Sequence, residues 1–274
     1  MTPELDVLVP TRNRPDSLAV TLTSLMSQDV GAFRLVVADQ SDEAPSWTAP
    51  VAAAVVRVLR ATGHAVELVR NLPRRGMAQQ RQFLLDRATG RYALFLDDDV
   101  VLEPFVLRLL LDAIRRLRCG LVGCGTIGLS YADDVRPEQQ VVETVEGDVE
   151  PELVEPGTDA WRRARLHLAA NLLHAQRRLG ATVDRPVYYR LAWASACILF
   201  DAAKLRTCGG FSFWRELPPV HVGEDVVAQL RVMARFGGVG VMPSGVYHQE
   251  VATTLPERDV DAPRILGVDR PLAS

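Results

Sequence analysis

The chain has 274 residues, and its hydrophobic fraction of 48% with a mean hydropathy of +0.05 allows a sizeable buried core. The 31 basic and 34 acidic residues give a net charge of -3, which excludes a general electrostatic attraction to nucleic acid or to an anionic membrane. Acidic residues near the start of the chain, and the lack of an apolar stretch of about 18 residues, predict a cytoplasmic protein without a transmembrane segment.

Short apolar runs alternate with helical patterns in the first half of the chain. This alternation predicts βαβ units and a Rossmann-like α/β fold, with a mostly parallel sheet flanked by helices. The predicted strands are residues 5–10, 33–38, 66–69, 92–96 and 121–124, and the predicted helices are residues 17–28, 47–59, 76–88 and 103–117.

The second half has a different composition. Residues 128–159 carry ten acidic residues and one basic residue, which indicates a solvated loop or insertion, or alternatively a flap over an acceptor. Residues 160–179 predict one helix with a basic face, and a later helix begins near Gly223. The tail, residues 251–274, contains three prolines and little periodicity, so we expect an extended strap or disorder there.

Three consecutive aspartates, Asp97, Asp98 and Asp99, follow the predicted strand 92–96. Adjacent carboxylates repel one another, and a hard divalent cation such as Mg²⁺ or Mn²⁺ relieves that repulsion. If the extended geometry continues past the strand, Asp97 and Asp99 point to one face and form the working pair. The alternative is an ordinary solvated turn or a helix cap. We refer to these residues as the aspartate triplet.

Other polar residues lie at the ends of predicted elements. The first strand leads into residues 10–14, the second ends at Asp39, and the late helix opens with Glu224 and Asp225. In this order and spacing, over roughly residues 4–250, the chain resembles the family 2 glycosyltransferases of the GT-A fold. The resemblance implies an inverting transfer of a sugar from a nucleotide diphosphate donor to an acceptor hydroxyl, with Mn²⁺ or Mg²⁺ bound.

The resemblance also implies a donor site. Asp39 is at the position that binds the base, and a carboxylate accepts well from the ring N–H of uracil, so a UDP-sugar is favoured. Asn71 precedes a helix that carries Arg81, and helix N-termini and arginines attract phosphate. The donor-binding residues implied in this way are Pro10, Thr11, Arg12, Asp39, Asn71, Arg81, Asp97 and Asp98, with Arg74 and Arg75 as further candidates.

By the same resemblance, Asp99 ligates the metal, and His248 is a candidate additional ligand that would favour manganese. Asp225 is the expected general base, and its place in the first turn of a helix is expected to keep its carboxylate ionised. An ordinary helix-capping acid is the alternative. Glu224, Trp214 and His221 are expected on the acceptor side.

These expectations divide the chain into a donor-binding half (1–127), the acidic insertion (128–159), an acceptor-side half with the base (160–250) and the tail (251–274). Two other functions remain open. A sugar-nucleotide nucleotidyltransferase also uses a nucleotide and a metal, although residues 10–14 lack the glycines typical of that class. A nucleotide-sugar-binding protein without turnover would keep the same pocket.

Overall fold

The computed structural model of the protein describes residues 3–267. Within them the strands are, in chain order, β1 (Leu5–Thr11), β2 (Arg34–Asp39), β3 (Ala65–Arg70), β4 (Tyr92–Leu96), β5 (Val100–Leu102), β6 (Leu121–Gly123), β7 (Val187–Arg190), β8 (Cys197–Asp201), β9 (Gly238–Met242) and β10 (Val246–His248). The helices are α1 (Pro15–Leu25), α2 (Pro50–Ala61), α3 (Met77–Arg87), α4 (Val106–Leu117), α5 (Asn171–Leu179), α6 (Ala202–Thr207), α7 (Glu224–Phe236) and α8 (Ala262–Leu266).

Eight strands form one sheet in the order β3-β2-β1-β4-β8-β6-β9-β7. The neighbours β3, β2, β1 and β4 are parallel, whereas β8 runs antiparallel between β4 and β6. Thr11 pairs with Asp39, and Asp39 pairs with Arg70, so three parallel strands end at the same edge. The predicted α/β fold with a mostly parallel sheet is confirmed, and this edge is where open α/β sheets bind their ligands.

The sheet is buried on both faces. In β1, Leu8 packs into one apolar cluster with residues of α3 and α7, while Val7 and Val9 pack into the other with residues of α1, α2 and α4. The same alternation separates Phe95 from Leu94 in β4. Strands covered on both sides have continuous apolar sequences, which is why these runs were recognisable without a polar alternation.

The predicted halves share this sheet. Strand β8, from the second half, lies between β4 and β6 of the first half, and the amide of Asp97 donates to the carbonyl of Ala196 just before β8 at 2.9 Å. The aspartate triplet is therefore held in place from both halves of the chain.

The prediction of one helix over residues 160–179 is wrong. A 3-10 helix, Ala160–His167, is separated from α5 by a break in which Ala169 has a φ of +52°, a value incompatible with a continuing α-helix. Arg163 in the 3-10 helix bonds Glu143 and Glu152 of the acidic insertion at 2.7 and 2.8 Å. The insertion also buries Val154 completely, so it is packed onto the body of the protein.

Three short strands, β5, β7 and β10, were not predicted. Strands β5 and β10 form a separate antiparallel pair in which His248 is opposite Val100. In the predicted tail, α8 packs beside α7, whereas residues 268–274 lie outside the described part of the chain. None of the helices in residues 3–267 is both long and apolar enough to span a bilayer.

Candidate active site

A cavity of about 460 Å³ opens at the carboxyl edge of the parallel strands. Its wall combines the ends of β1 and β4, the beginnings of α3 and α7, and the C-terminal segment, which we define as residues 251–258. The lining side chains that carry charge are Arg12, Arg14, Arg74, Arg81, Asp97, Asp98, Asp99, Glu224, Asp225 and Arg258, with His248 beside them. No residue of the acidic insertion, 128–159, lines this cavity.

The aspartate triplet is at the centre of this wall. Thr11 Oγ1 donates to Asp98 Oδ2 at 2.6 Å, and Nη1 of Arg14 donates to Asp98 Oδ1 at 3.2 Å and to Asp99 Oδ2 at 2.6 Å. Asp97 instead accepts from Arg81 at 2.9 Å. Strand β4 ends at Leu96 and a turn follows it, so the extended geometry does not continue, but Asp97 and Asp99 both line the cavity and their role as a working pair stays a prediction.

The triplet is short of positive charge. Burial raises the pKa of Asp98 to about 7, although Thr11 and Arg14 oppose the rise. Burial and the charge of Asp97 raise the pKa of Asp99, against the opposing effects of His248 and Arg14. Carboxylates in this condition are stabilised by any further cation that approaches them.

Arg81 connects three elements of the site from α3. Its side chain is 4% exposed; Nε donates to Glu224 Oε1 at the start of α7, and Nη2 donates to Asp97 Oδ1, both at 2.9 Å. The charges of Asp97 and Glu224 raise the pKa of this guanidinium further, against the effect of burial, so it is permanently charged. Both Nε and Nη2 of Arg81 are therefore engaged by carboxylates of the protein itself.

Asp225 lines the cavity from the first turn of α7. Burial, followed by repulsion from Glu224, raises the pKa of Asp225 to about 7, and Arg81 only partly offsets this. The expectation that the helix terminus keeps this carboxylate readily ionised is thus wrong in direction. A carboxylate with a pKa near the working pH is a stronger proton acceptor than an ordinary aspartate.

His248 approaches the triplet through the β5–β10 pairing, with Nε2 at 3.6 Å from Asp99 Oδ2. Its Nδ1 accepts from the amide of Glu250 at 2.7 Å, so a neutral ring in this position carries its hydrogen on Nε2. Ligation of a metal through Nε2 would move the ring hydrogen to Nδ1, so the hydrogen bond from the amide of Glu250 would be lost.

The donor atoms fit a hard divalent cation. Within residues 3–267 no three His, Cys, Asp or Glu side chains cluster closely enough to hold a metal by themselves. Mg²⁺ and Mn²⁺, however, take one or two carboxylates and complete their coordination with substrate phosphates and water. The raised pKa of Asp99 identifies a carboxylate that gains from such a cation.

Two predicted donor residues hold loops and do not line the cavity. Asp39 is fully buried and accepts the amide hydrogens of Ser41 and Ser46, the latter at 2.7 Å. Asn71 exchanges side-chain hydrogen bonds with Gln79 on α3, the shorter at 2.8 Å. Their observed contacts shape the loops beside the cavity.

The acceptor-side candidates His221 and Trp214 also lie away from the cavity lining. His221 is 1% exposed; its Nε2 accepts from the amide of Ala78 at 3.1 Å, and Nδ1 donates to the carbonyl of Pro218 at 2.7 Å. Trp214 stacks with Arg75 and Arg215. Because both ring nitrogens of His221 are engaged, its role here is structural, which corrects the acceptor-side expectation.

Three parts of the site escaped the sequence predictions. Arg14 is the last residue of the segment 10–14 that follows β1, and no role was predicted for it. Gln80 on α3 donates to the carbonyl of Ala38 at 2.6 Å and lines the cavity. The C-terminal segment also contributes to the wall, although its sequence has no periodicity that would locate it.

A search of curated proteins finds no match. Among solved structures, Staphylococcus aureus TarS 1-349 has a TM-score of 0.56 at 16% identity, with 90% of this chain and 60% of that chain covered. TarS 1-349 has also been solved with UDP and with UDP-GlcNAc.

The mannosyltransferase PcManGT from Pyrobaculum calidifontis, solved with GDP-Man and Mn²⁺, has a TM-score of 0.51 at 18% identity over 88% of this chain and 57% of that one. GalNAc-T7 with UDP, GalNAc and Mn²⁺ has a TM-score of 0.56 at 14% identity, covering 90% of this chain and 43% of that one. These likenesses show the GT-A fold. This chain thus spans about 60% or less of each of these structures.

The sequence model described as glycosyl transferase family 2 matches residues 6–169, which is more than half of the chain and includes β1, β2 and the aspartate triplet. The protein therefore belongs to glycosyl transferase family 2.

Proposed function

We propose that the protein is an inverting glycosyltransferase that moves a sugar from a nucleoside diphosphate sugar, preferably a UDP-sugar, to an acceptor hydroxyl. The observation that carries the proposal is the meeting of the aspartate triplet and Asp225 in one cavity, although they are more than a hundred residues apart in the sequence. The triplet is suited to hold a metal-bound diphosphate, and Asp225 is suited to accept a proton. A sugar transfer with a diphosphate leaving group can use both.

The cavity also offers cations for the diphosphate. Arg74 and Arg258 line it, and within the described residues neither side chain makes a hydrogen bond or an ion pair. Burial and the nearby charge of Arg12 lower the pKa of Arg74, so an anion at this position relieves both effects. Arginine binds phosphate oxygens in a bidentate manner, which fixes orientation as well as charge.

Asp225 is placed to act on the acceptor. Its carboxylate takes the proton of the acceptor hydroxyl while the hydroxyl oxygen forms a bond to the anomeric carbon. The bond from that carbon to the diphosphate oxygen breaks, and the nucleoside diphosphate leaves with the electron pair. Attack opposite the leaving group inverts the anomeric configuration and needs no enzyme nucleophile.

Asp99 would hold the divalent cation, with Asp97 and His248 as the neighbouring candidates. When bound, the cation neutralises charge on the departing diphosphate. Arg81 keeps Asp97 and Glu224 in fixed positions beside it. The complexes of TarS and PcManGT with UDP-GlcNAc and GDP-Man support a nucleotide-sugar donor for this fold, and those with Mn²⁺ support the cation.

The first test is a panel of nucleotide sugars with Mn²⁺, read as a shift in melting temperature. A ligand at about 100 times its dissociation constant adds roughly 2.7 kcal/mol to the free energy of unfolding, which is easily measured. The best donor is then assayed for release of nucleoside diphosphate. Absence of a shift with every nucleotide would refute the donor site, and release of pyrophosphate from a nucleoside triphosphate would identify a nucleotidyltransferase instead.

The second test separates binding from turnover. Asp225→Asn is expected to keep the nucleotide-induced melting shift and to lose transfer, since the amide cannot accept the hydroxyl proton. Asp16→Asn is the matched control, because Asp16 is also a first-turn acid, on α1, but is exposed. Transfer by Asp225→Asn at the wild-type rate would show that the base is another group, and no turnover in any variant would indicate a binding protein.

A further inference from the structure

Arg14 already occupies the carboxylate that the metal would need. Its Nη1 lies 2.6 Å from Asp99 Oδ2 and 3.2 Å from Asp98 Oδ1, and its side chain is 13% exposed. Asp99 Oδ2 is also the oxygen that faces His248 at 3.6 Å. The guanidinium and a divalent cation are thus alternatives for one oxygen atom.

The local charges make this competition strong. The triplet brings three carboxylates together, and the hydrogen-bonded cations around it are Arg14 on Asp98 and Asp99 and Arg81 on Asp97. Arg81 cannot replace Arg14, because Nε of Arg81 is committed to Glu224. Without a metal, Arg14 is therefore the cation that is hydrogen-bonded to Asp99, with His248 at 3.6 Å from the same oxygen.

Arg14 has a further contact that the other arginines of the cavity lack. Its Nη2 donates to the carbonyl of Ala252, so the side chain joins the C-terminal segment to the loop after β1. One planar guanidinium thus connects the triplet to the cavity wall formed by residues 251–258. A movement of Arg14 away from Asp99 changes both contacts.

We propose that Arg14 is a built-in competitor of the divalent cation: cation binding at Asp99 displaces the guanidinium and with it loosens the C-terminal segment. The inference rests on the proposed function, since it concerns the cation of the proposed donor site. No covalent step is involved. The exchange replaces one set of contacts to Asp99 with another, so the affinity for the cation is lowered by the cost of moving Arg14.

The experiment measures Mn²⁺ binding alone, without nucleotide, by electron paramagnetic resonance of the free ion. Arg14→Gln is expected to bind Mn²⁺ roughly tenfold more tightly than the wild type, because a like charge next to the ligand oxygen is removed. Arg14→Lys keeps the charge and is expected to bind Mn²⁺ more weakly than Arg14→Gln does. Arg108→Gln, which removes one exposed arginine paired with Asp29 outside the cavity, is the matched control and should equal the wild type.

Amide hydrogen exchange gives a second measurement. In the wild type, Mn²⁺ is expected to raise exchange in residues 251–258, whereas in Arg14→Gln exchange there is already high and does not respond. Equal Mn²⁺ affinity of the wild type and Arg14→Gln would overturn the inference and leave the metal site intact. Absence of Mn²⁺ binding in every variant would overturn both, and the nucleotide melting shift would then report separately on the donor site.

Discussion

Replacing Arg81 by methionine removes a buried charge while keeping much of the side-chain volume. In the wild type this guanidinium is 4% exposed and bonds Asp97 and Glu224, each at 2.9 Å. The variant leaves both carboxylates without their bonded cation in the wall of the cavity. We expect a large loss of stability, because an unpaired buried charge costs far more than the net value of the intact pair.

The size of the loss follows from this geometry. Breaking a buried ion pair by removing one partner costs about 3–5 kcal/mol, and Arg81 is the shared partner of two carboxylates. For a protein of this size, each kcal/mol lowers the melting temperature by roughly 2–4 °C, so a decrease of about 6–20 °C is expected.

The assay is urea unfolding of the wild type and Arg81→Met, with melting curves as a check. Arg108→Met is the control: its ion pair with Asp29 is exposed, so its loss should cost less than about 1 kcal/mol. Adding Asp97→Asn and Glu224→Gln to Arg81→Met should recover much of the stability. A loss below about 1 kcal/mol for Arg81→Met would refute this account of the buried pair.

Two further predictions concern stability. The pKa of Asp98 and of Asp225 is about 7 in the folded protein, above the ordinary value of 3.8. Between these two pH values the folded state binds more protons than the unfolded state, so the metal-free protein loses stability as the pH rises through this range. Urea unfolding across this pH range should show a smaller loss of stability for Asp98→Asn than for the wild type. An unchanged dependence of stability on pH in this variant would contradict the raised pKa of Asp98. Gly76→Ala should cost about 1–3 kcal/mol, because φ is +98° and the added Cβ would lie 2.7 Å from the carbonyl oxygen of Pro219. Gly31→Ala, with no atom within 4 Å of the added carbon, is its control and should change little.

The sequence predicted the buried parallel strands well. Strands β1, β2 and β4 were located to within about one residue, because each is an apolar run bounded by turn residues. Strands β5 and β10 were missed, since three residues carry no measurable period. The break at Ala169 was missed too, because nothing in the local pattern of residues 160–179 announces a positive φ.

The sequence predicted those functional residues that can be recognised within a single element, but not the contacts between elements. The triplet, at the end of β4, and Asp225, in the first turn of α7, both line the cavity at the carboxyl edge of the parallel strands. The contacts within the triplet were not predictable, since they depend on Arg14 and Arg81 arriving from other elements. His221 was misplaced for a similar reason: its hydrogen-bond partners belong to α3 and to Pro218, and only the folded chain brings α3 to it.

The insertion of β8 between β4 and β6 has a consequence for how the protein is made. A nascent chain synthesised through residue 127 contains the triplet and strands β1 to β6. The edge of β4 that pairs with β8 still has no partner at this stage. The antiparallel partner of that edge, β8, is synthesised about a hundred residues after β4, and β10, the partner of β5, later still. The wall of the cavity is thus completed by residues 222–225, 248 and 251–258, which are synthesised more than a hundred positions after the triplet, so the cavity cannot form until they are present.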